Sequence, residues 1–323
     1  MKGFLPRTLH PGLQLLLLVG LIVLGACVGL TVFAVCGRAA FGVGLTDMAQ
    51  IATVPAATAN GWAVLMLYQG LLLFFAFAGG ALALASALGY GWAEYFSPRR
   101  LGAGGVLLVV AVLIVGTLPF MSTLIAWNAG AHFPAALHDF ESWARASEDR
   151  AAVLTRFLTR FSSGARFGVG VVVIALVPAV AEELVFRGVI QRNLVRWFSP
   201  QVGVWLGAVL FSAIHFQFFG FVPRFVLGLV LGYLYLWSGN IVVSMVAHFT
   251  QNAFQLLLLY LTQRGQFGWG FDPDSSAALP LPLVLPSALL TAGLLYFLHQ
   301  RLTAPAPPTA MRTLSRDGVQ RTA

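Results

Sequence analysis

Eight stretches of apolar residues, near 12–36, 62–90, 103–126, 167–195, 201–219, 222–238, 240–262 and 280–298, leave this chain little choice of fold. Each is long enough to cross a hydrocarbon core of about 30 Å, the sixth only barely. All are expected to be helical, because lipid offers no partner to bare backbone N–H and C=O groups. Small residues in the second run (Ala81, Ala83, Ala85, Ala87, Gly89) let helices approach closely. Only 9% of the residues are charged and 59% are hydrophobic, whereas a water-soluble domain carries about a quarter charged residues. The expected fold is therefore all-α, a polytopic transmembrane helical bundle of about eight spans.

The net charge of +8 would suit nucleic acid, but the arginines sit at the ends of apolar runs and form no single basic stripe. They read as topology signals and contacts with anionic lipid heads, so membrane lipids are expected partners and nucleic acid is not. With the N-terminus inside, the inner side collects Lys2, Arg7, Arg99, Arg100, Arg192, Arg196, Arg301, Arg312, Arg316 and Arg321. The outer side receives Arg38, Arg224, Arg264 and the mixed-sign stretch 127–166. This predicts a multi-pass protein of the cell membrane with both termini cytoplasmic. Leu24-Gly25-Ala26-Cys27 resembles a lipoprotein cleavage box, yet the apolar stretch continues through Val35, too long for a cleaved signal core. An uncleaved first span is expected. Cys27 and Cys36 both fall in or at the end of that run and imply no disulfide framework.

The chain divides into N-terminal spans (1–130), an interfacial segment (131–165), a core (166–262), a loop with the last span (263–300) and a tail (301–323). Glu141, Arg145, Glu148, Asp149, Arg156 and Arg160 recur at helical spacing between apolar residues, as in an amphipathic helix lying in the membrane interface. The tail, with Ala304-Pro305-Ala306-Pro307-Pro308, is expected to be disordered.

The most informative residues are the expensive ones. Of 11 acids, only Glu182 and Glu183 lie within an apolar run, and of 6 histidines only His215 and His248 do. Ionisable groups at membrane depth cost at least ~2.5 kcal/mol and are functional candidates by default. Glu182 lies 17 residues before Ser199, and His215 lies 16 after it. In a helix hairpin turning at Ser199-Pro200 both would sit about 24–26 Å from the corner, at nearly equal depth. His248 follows the next corner, Ser238-Gly239-Asn240, by about two and a half turns, so all three side chains can meet. Glu183 and Arg187 are spaced i,i+4 in the favourable order for an ion pair, which would leave Glu182 free to face something else. His248 and Asn252 share a helix face by the same spacing, as do Phe211 and His215.

Glu182-Glu183-Leu184-Val185-Phe186-Arg187, then Phe211-Ser212-Ala213-Ile214-His215, then His248-Phe249-Thr250-Gln251-Asn252 resemble the three motifs of one family, the CPBP intramembrane endopeptidases, also called the Abi or type II CAAX prenyl protease family. The motifs Glu-Glu-x-x-x-Arg, Phe-x-x-x-His and His-x-x-x-Asn are matched without a departure, and the resemblance covers about 165–262. It implies that Glu182 and His215 hold and activate a water, that His248 and Asn252 stabilise an oxyanion, and that Glu183 and Arg187 support the site beside Phe211. It also implies a peptide or lipidated protein as substrate. The chemistry is consistent with the residues. A carboxylate held away from water is a stronger base near neutrality, and an imidazole and an amide can donate to a developing oxyanion. No covalent nucleophile and no cofactor are required.

Other readings of the same residues stay open at this level. Glu182, His215 and His248 have the ligand types of a catalytic zinc centre, although the His-Glu-x-x-His helix of common zinc proteases is absent. A proton-coupled transporter would use Glu182 and His215 as a relay, but a repeat-built transporter should show duplicated halves with broken helices. A non-proteolytic scaffold or immunity protein would bind peptides without cutting them.

Overall fold

The computed structural model describes residues 3–58, 60–101, 105–266 and 277–303. The apolar runs become helices α1 (Pro11–Phe41), α2 (Gly61–Ala87), α3 (Gly105–Ala129), α5 (Gly164–Trp197), α6 (Pro200–Ala213), α7 (Phe221–Ser238), α8 (Ile241–Gln263) and α9 (Leu281–Thr303), and α4 (His138–Leu158) is the amphipathic helix between α3 and α5. Among the described residues 7 helices are long and apolar enough to cross a membrane, so the chain is an all-α, multi-pass bundle. The expected tail beyond residue 303 lies outside the described residues, as do positions 267–276 of the loop before α9.

The fifth run is the exception to the expected eight spans. The apolar stretch 201–219 yields a helix of only 14 residues, α6. The chain then turns through Phe216, a non-glycine residue in the left-handed region at φ 51°, and a 3₁₀ turn at Phe218–Gly220. Ser212 Oγ donates to Phe221 O at 2.7 Å, tying the end of α6 to the start of α7. His215 therefore sits just beyond a helix end and not within a span.

The two predicted corners form as their residues dictate. Ser199 caps α6, its hydroxyl accepting from Val202 N at 3.3 Å, with Pro200 at the first helical position, where its missing N–H costs nothing. A Cβ on Gly203 would lie 2.6 Å from Val195 N, so this glycine lets α5 and α6 close tightly. Gly239 ends α7 in the left-handed conformation at φ +60°, and Asn240 then caps α8 by accepting from Val242 N at 3.0 Å.

α1 packs on α2, α6 on α7 and α3 on α9, while α8 runs between α3, α5 and α7. One apolar cluster joins α1, α2 and α5 through Leu18, Leu84 and Val185; another joins α3, α7, α8 and α9 through Leu113, Leu231, Val243 and Leu298. Prolines interrupt several helices. Pro119 in α3 cannot donate to the turn before it, and Ser287 of α9 fits beside that break, accepting from Phe120 N at 3.0 Å and donating to Gly116 O at 2.6 Å. In α5, wide π turns at Val171–Leu176 and Leu184–Gln191 flank the segment that carries Pro178, Glu182 and Glu183.

α4 keeps its polar face as the charge spacing predicts. Only Ala144 and Leu158 on it are buried. Glu141 accepts from Phe133 N at 2.8 Å and from Arg145 Nε at 2.9 Å. The Phe133 N–H, followed by Arg145, pulls the Glu141 carboxyl down to about 2. Farther along, Glu148 accepts from Phe219 N at 2.8 Å, and Arg145 lies over the Phe219 ring, 3.9 Å from its centroid. The helix is thereby latched to the turn that follows His215.

Candidate active site

α5 brings two adjacent glutamates inward, and helical geometry splits their roles. Glu183 is fully buried. Its Oε1 accepts from Arg187 Nη1 at 2.8 Å, the i,i+4 pair read from the spacing, and also contacts His248 Nδ1 at 2.9 Å. Arg187 is equally enclosed: Nη2 donates to Gly228 O of α7 at 3.1 Å, and the guanidinium carbon lies 4.4 Å from the centroid of Phe211. Phe211 also meets His248 and His215 edge-on, with ring centroids 5.8 and 5.4 Å apart. Packing thus joins the three motifs through one ring.

Glu182 turns the other way. Its side chain is 14% exposed, and Oε2 stands 4.0 Å from His248 Nε2, beyond direct hydrogen-bond range. His248 is therefore held at Nδ1 by one glutamate and faces the other with Nε2. A carboxylate only accepts, so Nδ1 carries the proton and a neutral ring presents a bare lone pair at Nε2. The Nδ1–H of a neutral His248 is thus engaged by Glu183. Only the doubly protonated ring can donate from Nε2.

His215 is fixed in the same sense. Its Nδ1–H donates to Phe211 O at 2.9 Å, leaving Nε2 as an acceptor. Asn252 Nδ2 donates to Ile174 O over 3.4 Å. That carbonyl is accessible for a reason written in the sequence: the residue four positions on is Pro178, which has no N–H to give it.

Glu182, Phe211, His215, His248 and Asn252 line one cavity of about 2010 Å³, with Glu183 and Arg187 behind its wall. All the predicted site residues are thus brought to one place. The same cavity is lined by residues that the sequence reading left without a role in the site. Tyr68 and Gln69 of α2 and Gln251 and Gln255 of α8 are polar positions in apolar helices, a signal visible in the sequence. Arg224, counted among the outer-side charges, lines this cavity from the first turn of α7. Its nearness to a run boundary hid it, since arginines at such boundaries ordinarily serve as anchors. Among the described residues no group of three His, Cys, Asp or Glu side chains is placed to hold a metal ion.

Residues 165–254 match the family model for the type II CAAX prenyl endopeptidases, Rce1-like. The chain is also 33% identical over 87 residues to the uncharacterized protein YpbD of Bacillus subtilis (strain 168), an alignment covering 26% of this chain and 42% of that relative. The match thus spans about two fifths of that relative's length. No solved structure matches the chain significantly. Over residues 165–254 the chain is similar to the Rce1-like type II CAAX prenyl endopeptidases, the family its three motifs resemble.

Proposed function

We propose that this chain is an intramembrane endopeptidase that hydrolyses a peptide bond near the membrane surface with a water activated by Glu182 and His215, acting in CAAX-type processing of lipidated proteins. The observation that carries this reading is the glutamate–histidine–glutamate arrangement at the cavity wall, with His248 hydrogen-bonded to Glu183 and 4.0 Å from Glu182.

A water in the cavity can donate one hydrogen to Glu182 and the other to the lone pair of His215 Nε2. As its oxygen attacks the carbonyl carbon, Glu182 takes the proton. The carbonyl oxygen gains charge and is met by an N–H of Asn252 and, when the ring carries both protons, by Nε2–H of His248. When the C–N bond breaks, Glu182 returns its proton to the leaving amine. Arg187 holds Glu183 in place for His248. No covalent nucleophile enters, and Ser244, the nearest hydroxyl in sequence, donates to Ile241 O at 3.0 Å within its own helix. The walls of the cavity are largely apolar, with Leu65, Leu72, Phe77 and Leu118 among them, which suits a lipid-modified or apolar segment.

The test is cleavage of peptides ending in a cysteine and three further residues, prenylated and unmodified, by the protein in lipid nanodiscs. Glu182→Gln should abolish cleavage while the melting temperature holds. Unchanged turnover in that variant removes Glu182 as the base. Peptide binding with no cleavage by the wild type points to a scaffold. Full activity in a strong chelator supports the metal-free reading, and loss restored by zinc overturns it.

A further inference from the structure

One cation in the cavity has no assignment in this mechanism. Among the described lining residues Glu182 is the sole carboxylate and Arg224 the sole arginine or lysine. Arg224 forms no ion pair among the described residues. Its Nη1 is buried and has no hydrogen-bond partner among the described residues, while Nη2 donates to the neutral amide oxygen of Gln217. Glu148, a nearby carboxylate on α4, is turned to Phe219 N. Gly220 leaves the room the guanidinium occupies: a Cβ there would stand 2.8 Å from Nη1.

A guanidinium drawn from water with carboxylates nearby but none in contact lacks what its planar fork is shaped to take, a carboxylate bound through two parallel N–H bonds. Glu182 does not supply it, being outside ion-pair distance of Arg224 and turned toward His248. Gln217 offers one neutral acceptor that an anion can displace. We propose that Arg224 is the specificity-determining residue that anchors a carboxylate of the bound peptide, the free α-carboxylate of its C-terminus or an acidic side chain. This rests on the reading that the cavity takes a peptide. Arg224 follows His215 by nine residues, across the short turn between α6 and α7. An anchored carboxylate would therefore set how far from its end a peptide meets Glu182. It would also offset the repulsion between Glu182 and a second negative charge in one apolar chamber.

The test measures binding apart from turnover. A short apolar fluorescein-labelled peptide is prepared as the free acid, as the C-terminal amide, and as the amide carrying one glutamate. Fluorescence anisotropy is read with wild type, Arg224→Gln and Arg224→Lys in nanodiscs, each checked by thermal melting. Wild type should bind the free acid at least ~10-fold tighter than the plain amide, the scale of one charge-assisted bond. Arg224→Gln should erase that preference by weakening the acid alone, and Arg224→Lys should retain part of it. A glutamate-bearing amide that binds as the free acid does assigns the anchor to a side chain; one that binds as the plain amide assigns it to the C-terminus. Equal binding of all three peptides to wild type, or a preference that survives Arg224→Gln, overturns the proposal. A purely structural arginine would shift melting and leave the acid-to-amide ratio unchanged. Binding with this preference but without cleavage would sink the protease reading and leave the anchor standing. Cleavage without the preference would do the reverse.

Discussion

The α3–α9 pair and the α5–α8 pair meet the same problem with opposite results. Each contains a helix broken by proline, at Pro119 and Pro178, and in each a neighbouring helix reaches the disturbed backbone with a polar side chain. In α3–α9 the repair is complete and neutral: Ser287 serves both Phe120 N and Gly116 O, and the hydroxyls of Thr117 and Thr291 lie 3.1 Å apart beside it. In α5–α8 the groups are ionisable and the repair is partial. Asn252 reaches Ile174 O over a long 3.4 Å, Glu183 Oε2 is buried without a partner among the described residues, and Glu182 stops 4.0 Å short of His248. Burial sharpens the contrast, because half of the most apolar window of α5 is inside the protein, against 28% for α3. A satisfied polar seam holds helices together; an unsatisfied one, in the most enclosed part of the bundle, has bonding capacity left for a reactant.

Four substitutions or conditions test that contrast. Glu183→Ala should do most damage, since it strands the buried Arg187 charge and frees His248. A loss of about 3–5 kcal/mol by thermal or denaturant unfolding is expected, together with all activity. A variant as stable as wild type would show that the ion pair does not hold the seam. Glu182→Gln should leave stability unchanged and lower peptide cleavage by about 10²–10⁴-fold, the range of a lost general base. Destabilisation comparable with that of Glu183→Ala would erase the distinction between the two glutamates. Ser287→Ala should cost about 1 kcal/mol, as interhelical hydrogen bonds in membranes do, and leave kcat and KM alone. A change in kcat would mean that the neutral seam is coupled to the chemistry.

The smallest effect belongs to α4 and is read against pH. The folded-state pKa of Glu141 is depressed, so its contribution is present above the ordinary value of 4.5 and is lost as pH falls toward about 2. Fluorescence of Trp143 on α4 should change across that window, and Glu141→Gln should flatten the change. A transition of equal size in the variant would assign it to another group.

Much of this is legible in the sequence. Apolar length marks the helices, the i,i+4 spacing marks Glu183–Arg187, and the rarity of buried charge marks Glu182, His215 and His248. What the sequence does not carry is rotation about helix axes and backbone detail at helix ends. Whether His248 turns its Nδ1 to Glu183 or to Glu182 depends on how α5 and α8 are turned toward each other, a product of side chains spread along both. The early end of α6 depends on Phe216 adopting a left-handed backbone, which hydropathy does not register. Composition near a run boundary likewise does not say that the Arg224 side chain lines the cavity.

The shortness of α6 has a consequence for the surrounding lipid. Fourteen residues rise about 21 Å, roughly 9 Å less than a typical hydrocarbon core. Thinning of the lipid beside that helix is one way to meet it, and would bring headgroups and their hydration closer to the turn bearing His215. A hydrolytic reaction inside a membrane needs a supply of its second reactant. On the reading of His215 as the residue that receives it, a bilayer thinned beside α6 would shorten that path, and membrane thickness would become a variable acting on the chemistry.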